Sequence, residues 1–147
     1  MRRRKPPHTV LSASLFALWV TLALTAGALP LWGVAVLLFG MGAVGGAFVL
    51  TWPLGREVNP PHLAGTAVAV ANMGGFLGAA LTQKYVGKVL DAGWAGALAE
   101  GARVYPVAAY AEAFKVCAAL ALLAAGTSLL LRETRGRNVY REISSKG

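Results

Sequence analysis

The sequence contains few side chains that could perform chemistry, and one glycine-rich stretch imitates a nucleotide site. Gly40, Gly42 and Gly45 have the G-x-G-x-x-G spacing of dinucleotide-binding loops, in which the backbone approaches a pyrophosphate. The following stretch, AFVLTW, has almost no polar residue, whereas a helix lying on a soluble sheet needs a polar outer face. We therefore interpret the stretch as part of an apolar span and expect no nucleotide site.

Residues typical of catalytic or metal sites are sparse. Cys117 is the only cysteine and lies in an apolar run, which excludes an intrachain disulfide and a multi-thiolate metal site. His8 and His62 lie at the edges of apolar runs, where a solvated side chain is the simpler interpretation. The sequence has no nucleophile elbow and no paired carboxylates within an apolar run. These observations do not favour an enzyme, and we expect no metal and no cofactor.

Three side chains in or beside the apolar runs are candidates for a substrate pathway. Asn72 lies near the middle of one run, where a buried amide must bond a neighbouring helix or face a water-filled path. Thr51 and Trp52 lie at the end of another run, and Trp is also common simply as an interface anchor. Both interpretations, a bond between helices and a pathway, stay open for this group.

The composition indicates that these residues are positioned within a membrane. The chain has 147 residues, of which 56% are hydrophobic and 14% charged, against about 25% charged in soluble proteins. No Asp, Glu, Lys or Arg occurs from Thr9 to Gly55, which is about enough to cross a bilayer twice. The lipid bilayer is therefore the expected surrounding of the chain.

The apolar runs predict an all-α, polytopic membrane protein with four transmembrane helices. The segment from Gly27 to Pro30 is expected to form a tight turn, because Pro30 cannot donate the hydrogen bond of a continuing helix. Asn59 is expected to cap the third helix, with Pro60 and Pro61 in its first turn. The predicted spans cover about residues 10–29, 31–52, 63–90 and 110–131, and a cytoplasmic tail covers residues 132–147.

Glycine pairs predict where these helices pack. Gly42 and Gly46, and again Gly74 and Gly78, are four residues apart and lie on one helical face. In a membrane, such small residues allow two helix backbones to approach closely. We expect both pairs to form packing seams.

The distribution of Lys and Arg predicts the orientation of the chain. Cytoplasmic segments carry an excess of these residues, so both termini and the short loop at Arg56 are expected in the cytoplasm of a multi-pass protein of the plasma (inner) membrane. The loop from Asp91 to Ala109 is then external. The basic residues on the expected cytoplasmic side are Arg2, Arg3, Arg4, Lys5, Arg56, Arg132, Arg135, Arg137, Arg141 and Lys146, against Lys84, Lys88, Arg103 and Lys115 on the other.

The basic termini allow two other interpretations, a nucleic-acid interface and a secretory signal. The termini adjoin apolar spans and have only Tyr140 as an interleaved aromatic residue, so anionic headgroups are the expected partner and nucleic acid is not. The basic start, the apolar run and the segment from Ala26 to Ala28 also imitate a secretory signal. The apolar run is long for such a signal, which favours a retained first span.

The sequence resembles the major facilitator superfamily (MFS) of transporters. A Gly-rich span, the loop GREVNPP, the run HLAGTAVAVANMGGFLGAAL and a final span running into LLLRETRGRNVYREI follow one another as in the last four helices, nine to twelve, of that family. The opening MRRRKPP is similar to the basic tail of the loop before the ninth helix. The resemblance implies a secondary transporter that moves a small solute by alternating access. Span two would then line the cavity, and span three would lie between the two halves.

The resemblance also implies a role for four charged residues. In the family such groups bridge helix ends and hold one access state closed, and the matching residues here are Arg56, Glu57, Glu133 and Arg135. An exposed pair is worth about 0 to 1 kcal/mol, so several pairs would have to act together. The alternative interpretation is that these charges only solvate the loops and set the topology.

The resemblance covers the chain but not the whole family fold, so we expect the fragment to be incomplete alone. The expected partners are the missing N-terminal helices or another chain. Two alternatives remain. A small four-helix exporter acting as a homodimer would resemble a pattern with a carboxylate in the first span, which Val10 to Leu29 lacks. A membrane assembly subunit without transport activity is the other.

Overall fold

The computed structural model describes residues 3–145, apart from the side chain of Ala47, and this part of the chain is mostly helical. A short hairpin pairs β1 (Leu98–Ala99) with β2 (Ala102–Arg103). Two 3₁₀ turns, Gly46–Leu50 and Pro61–Leu63, precede the third and fourth α-helices. The α-helices are α1 (Lys5–Leu24), α2 (Leu31–Gly45), α3 (Thr51–Val58), α4 (Ala64–Ala92), α5 (Val107–Ser128) and α6 (Tyr140–Ser144).

Among residues 3–145, four helical segments are long and apolar enough to cross a membrane, which confirms the expectation of a mostly helical chain with four candidate spans. They are Lys5–Leu24, Leu31–Val58, Pro61–Ala92 and Val107–Ser128.

The first span begins and ends earlier than the predicted range of 10–29. Pro6 and Pro7 do not prevent helix α1 from starting at Lys5, because the first turn needs no intrahelical N–H donor. The helix ends at Leu24, and the chain then turns through Gly27, whose φ of 80° suits glycine. The last span is shifted in the same direction, to Val107–Ser128, because Pro106 fixes its start.

The second span continues beyond the predicted end at residue 52. Pro53 has no N–H for the carbonyl of Val49, and the helix tightens to 3₁₀ geometry over Gly46–Leu50 just before it. Helix α3 then runs to Val58. Arg56 and Glu57 therefore lie on a helix, and the expectation that they belong to a loop is wrong.

Asn59 does not cap the third span, so that expectation is also wrong. Its Nδ2 donates to the carbonyl oxygen of Gly55 at 2.7 Å, which satisfies a free acceptor at the end of α3. Pro60 occupies the N-cap position of the 3₁₀ turn, where no side chain caps the backbone. The amide thus closes one helix rather than opening the next.

Helices α1 and α5 form the central pair of the bundle. The face of α5 toward the core consists of small buried residues, which let the helices approach closely. Trp19 and Phe114 pack beside this seam with ring centroids 5.9 Å apart. Helix α2 packs on α1, and α4 packs on α3 and α5. The small residues of the seam are Ala109, Ala113, Ala118, Ala121 and Ser128.

The four glycines predicted to form packing seams face open space within the described part of the chain. A Cβ atom added at Gly42, Gly46, Gly74 or Gly78 would have no neighbour within 4 Å. Close packing occurs instead at Gly75, where an added Cβ would lie 2.7 Å from Cζ of Phe48. Helices within residues 3–145 therefore do not pack closely on these four glycines, and the packing role stays a prediction.

The two ends of the bundle differ in chemistry. Arg4, Glu57 and Glu133 come together at one end, which we call the cluster end. The turn at Gly27 meets Val107 at the opposite end, where the β1–β2 hairpin also lies, and we call this the hairpin end. Both ends of the described chain are therefore on the same side of the bundle, as four crossings require.

Candidate functional site

Glu57 is the centre of a polar site at the cluster end. Its Oε1 accepts hydrogen bonds from Nη2 of Arg4 at 3.2 Å and from Nε at 3.3 Å, and its Oε2 accepts one from the hydroxyl of Thr134. The Glu57 side chain is only 11% exposed and that of Arg4 25%, so this ion pair is largely shielded from water. Both oxygens of the carboxylate are satisfied, as a buried charge requires.

Glu133 caps the start of α1 from the other end of the chain. Its Oε1 accepts the backbone N–H groups of Arg4 at 2.9 Å and Arg135 at 3.0 Å, and its Oε2 accepts that of Lys5 at 3.3 Å. The N–H groups of Arg4 and Lys5 have no partner within α1, and the helix dipole is positive at this terminus. The hydrogen bond from the Arg4 backbone, followed by that from Arg135, lowers the pKa of Glu133 below its usual value.

The segment after α5 also forms hydrogen bonds to backbone carbonyl groups at the end of α3. The N–H of Val139 donates to the carbonyl oxygen of Glu57 at 2.7 Å, and Nδ2 of Asn138 donates to the carbonyl oxygens of Arg56 and Asn59 at 2.9 and 2.8 Å. Thr134 is only 1% exposed. The predicted tail therefore forms part of the folded end of the bundle through residue 139. We refer to Arg4, Glu57, Glu133 and Thr134 as the terminal cluster.

The structure brings together two of the four charged residues that the resemblance singled out. Glu57 and Glu133 lie in the terminal cluster, whereas the side chains of Arg56 and Arg135 are exposed and form no salt bridge among residues 3–145. Sequence reasoning missed Arg4 and Thr134 as partners. These residues lie 53 and 77 positions from Glu57, so no local spacing could have paired them.

Two of the three pathway candidates, Trp52 and Asn72, lie where spans two and three meet, whereas Thr51 borders a pocket with His8 and Leu131. Nε1 of Trp52 donates to Oδ1 of Asn72 at 2.8 Å, and Phe48 packs edge-on against the Trp52 ring. The hydroxyl of Thr51 donates to the carbonyl oxygen of Phe48 at 2.6 Å. In this structure the Asn72 amide thus bonds a neighbouring helix, which is one of the two interpretations left open. A pathway role for the group stays a prediction.

A second polar group, at the hairpin end, connects the end of α4 to the hairpin that follows it. Oδ1 of Asp91 accepts hydrogen bonds from Arg103 and from the hydroxyl of Tyr105, each at 2.7 Å. The Arg103 guanidinium lies 4.5 Å from the centre of the Trp94 ring, within the range of a cation–π contact. Asp91 and Arg103 are about half exposed, so this group shapes the loop more than it stabilises the fold.

Neither metal-ligating side chains nor similarity to known proteins assigns a reaction to these polar groups. Among residues 3–145, no three His, Cys, Asp or Glu side chains lie close enough to hold a metal ion. Every buried polar side-chain atom in this part of the chain has a hydrogen-bond partner. Comparison with family models, curated proteins and solved structures finds no match to this chain.

Proposed function

We propose that this chain is the C-terminal, four-helix part of a secondary transporter resembling the MFS, which moves a small solute by alternating access. The observation that carries the proposal is the terminal cluster. It ties the start of α1, the end of α3 and the segment after α5 into one unit. Alternating access of the rocking type needs helices that move as one rigid body.

The uncovered faces of α2 and α4 support partners beyond these four helices. Large apolar side chains such as Trp32 and Phe39 on α2, and Met73 and Phe76 on α4, are between 66% and 80% exposed. Helix α4 has no buried residue over its whole length. Lipid can cover such faces, but so can further transmembrane helices, which the proposal requires on this side of the bundle.

The orientation follows from the same proposal. The cluster end carries most of the basic residues, so the positive-inside rule puts it in the cytoplasm of an inner-membrane protein. The terminal cluster is internally paired. Of the four charged residues that the resemblance singled out, the exposed Arg56 and Arg135 form no salt bridge within residues 3–145 and can meet a second half at this end. These two residues are the proposed gating contacts. Thr51, Trp52 and Asn72 are the proposed residues of the substrate pathway.

Sequencing of the coding DNA on both sides of this chain, combined with purification from its native membrane, tests the proposal. We expect further transmembrane helices to be encoded in frame or to co-purify in fixed stoichiometry. A chain that is encoded without them and purifies alone as a monomer would contradict the proposal, since four helices cannot enclose a path between two halves.

An assembly subunit without transport activity is a second candidate, and the uncovered α4 favours it as much as it favours a transporter. Both candidate functions predict that the chain forms a complex with other helices. They differ in whether that complex transports a solute. A stoichiometric complex that moves no solute would support the assembly subunit.

A further inference from the structure

A groove of about 410 Å³ lies between α4 and α5 near the hairpin end. Leu81 of α4 and Val116 and Leu120 of α5 provide apolar walls. Lys84 and Lys88 border the same groove. The groove thus combines apolar walls that extend over about one helical turn of α5 with two ammonium groups on α4.

The two ammonium groups have no protein counter-ion. Lys84 and Lys88 are exposed, lie four residues apart on one face of α4, and form no salt bridge within residues 3–145. The carboxylates of the two helices that form the groove are already paired elsewhere. Glu112 accepts from Lys115 at 2.6 Å, and Asp91 binds Arg103 and Tyr105.

The depth of the groove matches the boundary between headgroups and hydrocarbon. Lys84 and Lys88 lie about 12 and 6 Å of helix rise from the end of the span at Ala92. The whole Pro61–Ala92 segment of 32 residues is about 48 Å long, against about 30 Å of hydrocarbon. Its ends therefore project into the headgroups, and the lysine side chains reach that region.

We propose that this groove is a binding site for an anionic phospholipid of the leaflet at the hairpin end. The phosphate contacts Lys84 and Lys88, while an acyl chain lies along Leu81, Val116 and Leu120. Two cations without counter-ions favour a negatively charged headgroup over a zwitterionic one. The apolar walls favour a lipid over a soluble anion, because a soluble anion has no apolar part to bury against them.

Lipid association in nanodiscs tests the proposal. The full chain is placed in phosphatidylcholine nanodiscs containing a trace of spin-labelled phosphatidylglycerol or spin-labelled phosphatidylcholine, and the immobilised fraction of each label is measured by electron paramagnetic resonance. We expect wild type to prefer phosphatidylglycerol. The Lys84→Gln/Lys88→Gln variant loses this preference, by about fivefold for each lysine.

Lys115→Gln is the matched control. Lys115 lies about 12 Å of helix rise inside α5 from Val107, a depth like that of Lys84, but it is paired with Glu112 and does not border the groove. We expect this variant to keep the wild-type preference. An equal loss in the control would mean that only net charge matters, which overturns the site.

The Val116→Trp variant distinguishes lipid binding in the groove from general electrostatic attraction to the surface. It fills the apolar wall and leaves both lysines in place, so phosphatidylglycerol should no longer be immobilised although the charge is unchanged. Retained preference in this variant, or no preference in wild type, overturns the proposal. Complete displacement of the labelled lipid by soluble glycerol phosphate also overturns it, because the site would then belong to a soluble anion.

Discussion

At the scale of single residues, Glu57 has the largest expected effect on stability. Its carboxylate is 11% exposed and binds the side chains of Arg4 and Thr134. These contacts of Glu57 were not predictable from the sequence, because Arg4 and Thr134 are 53 and 77 positions away. Neither spacing nor periodicity relates them to Glu57. Charge in the GREVNPP segment was visible in the sequence, but burial of the Glu57 carboxylate was not.

Replacement of Glu57 by Gln should destabilise the protein. The amide keeps the shape of the side chain but leaves the guanidinium of Arg4 without its counter-ion and presents an NH₂ group to one of the former donors. Because Arg4 remains 25% exposed, we expect a loss of about 1 to 3 kcal/mol, below the cost of breaking a fully buried pair. Thermal unfolding in detergent, followed by circular dichroism, measures the change.

Glu112→Gln is the matched control for this substitution. Glu112 pairs with Lys115, but both side chains are more than half exposed, so the loss should not exceed about 0.5 kcal/mol. An equal effect of the two substitutions would show that the terminal cluster does not stabilise the fold.

The hydrogen bond between Trp52 and Asn72 gives a second prediction at the residue scale. A double-mutant cycle with Trp52→Phe and Asn72→Leu should give a coupling of about 0.6 to 1.7 kcal/mol, the range for polar contacts between membrane helices. The same cycle with Thr51→Val in place of Asn72→Leu should give almost none, because Thr51 bonds its own helix. Additive effects of Trp52→Phe and Asn72→Leu would contradict the contact.

At the scale of elements, helix α1 depends on a cap that comes from the far end of the chain. Glu133 accepts three backbone N–H groups and has a lowered pKa, chiefly through the hydrogen bond from the Arg4 backbone. A carboxyl with a lowered pKa in the folded state contributes stability that is fully present above its unfolded pKa, about 4.3. This contribution is lost as the pH falls through the lowered value.

Glu133→Gln should therefore remove part of the acid sensitivity of the protein. We expect the variant to have a lower melting temperature than wild type near neutral pH, and the difference should shrink as the pH falls below about 4. Melting curves across this range measure it, and Glu142→Gln, which alters an exposed contact with Arg132 at 3.7 Å, is the control. A difference that is independent of pH would contradict the cap.

Substitution of glycines on α4 tests which face of this helix packs against other parts of the chain. Gly75→Ala brings a Cβ to 2.7 Å from the Phe48 ring, so the ring must move, at about 1 kcal/mol or more. Gly74→Ala and Gly78→Ala meet open space and should gain up to about 1 kcal/mol from helix propensity. If the predicted seam packs against helices outside this sequence, these two variants will instead impair co-purification without destabilising the chain.

The elements also show where sequence reasoning succeeds. Four spans were predictable because length and apolar composition are local properties, and the structure has four such helices. Their ends were not, because Pro6 and Pro7 are accommodated in a first turn and the 3₁₀ segment carries the second span on to Val58. The helix termini depend on hydrogen-bond partners that only the fold supplies.

At the scale of the whole molecule, the proposed orientation can be tested with fused reporters. Fusions after Asn59 and at the C-terminus should report the cytoplasm, and fusions after Ala28 and Gly101 should report the opposite side. The expectation follows from four crossings and from the basic residues at the cluster end. A cytoplasmic signal at Gly101 would contradict the four-span arrangement.

Measurement of solute flux distinguishes a transporter from an assembly subunit. The complete coding region, including any in-frame helices beside this chain, is expressed and its product reconstituted into vesicles. Uptake of a panel of radiolabelled sugars, amino acids and organic anions is then measured with and without a proton gradient. We expect saturable uptake of at least one solute above that of empty vesicles. A purified, stoichiometric complex that moves none of them would contradict this expectation and favour an assembly subunit.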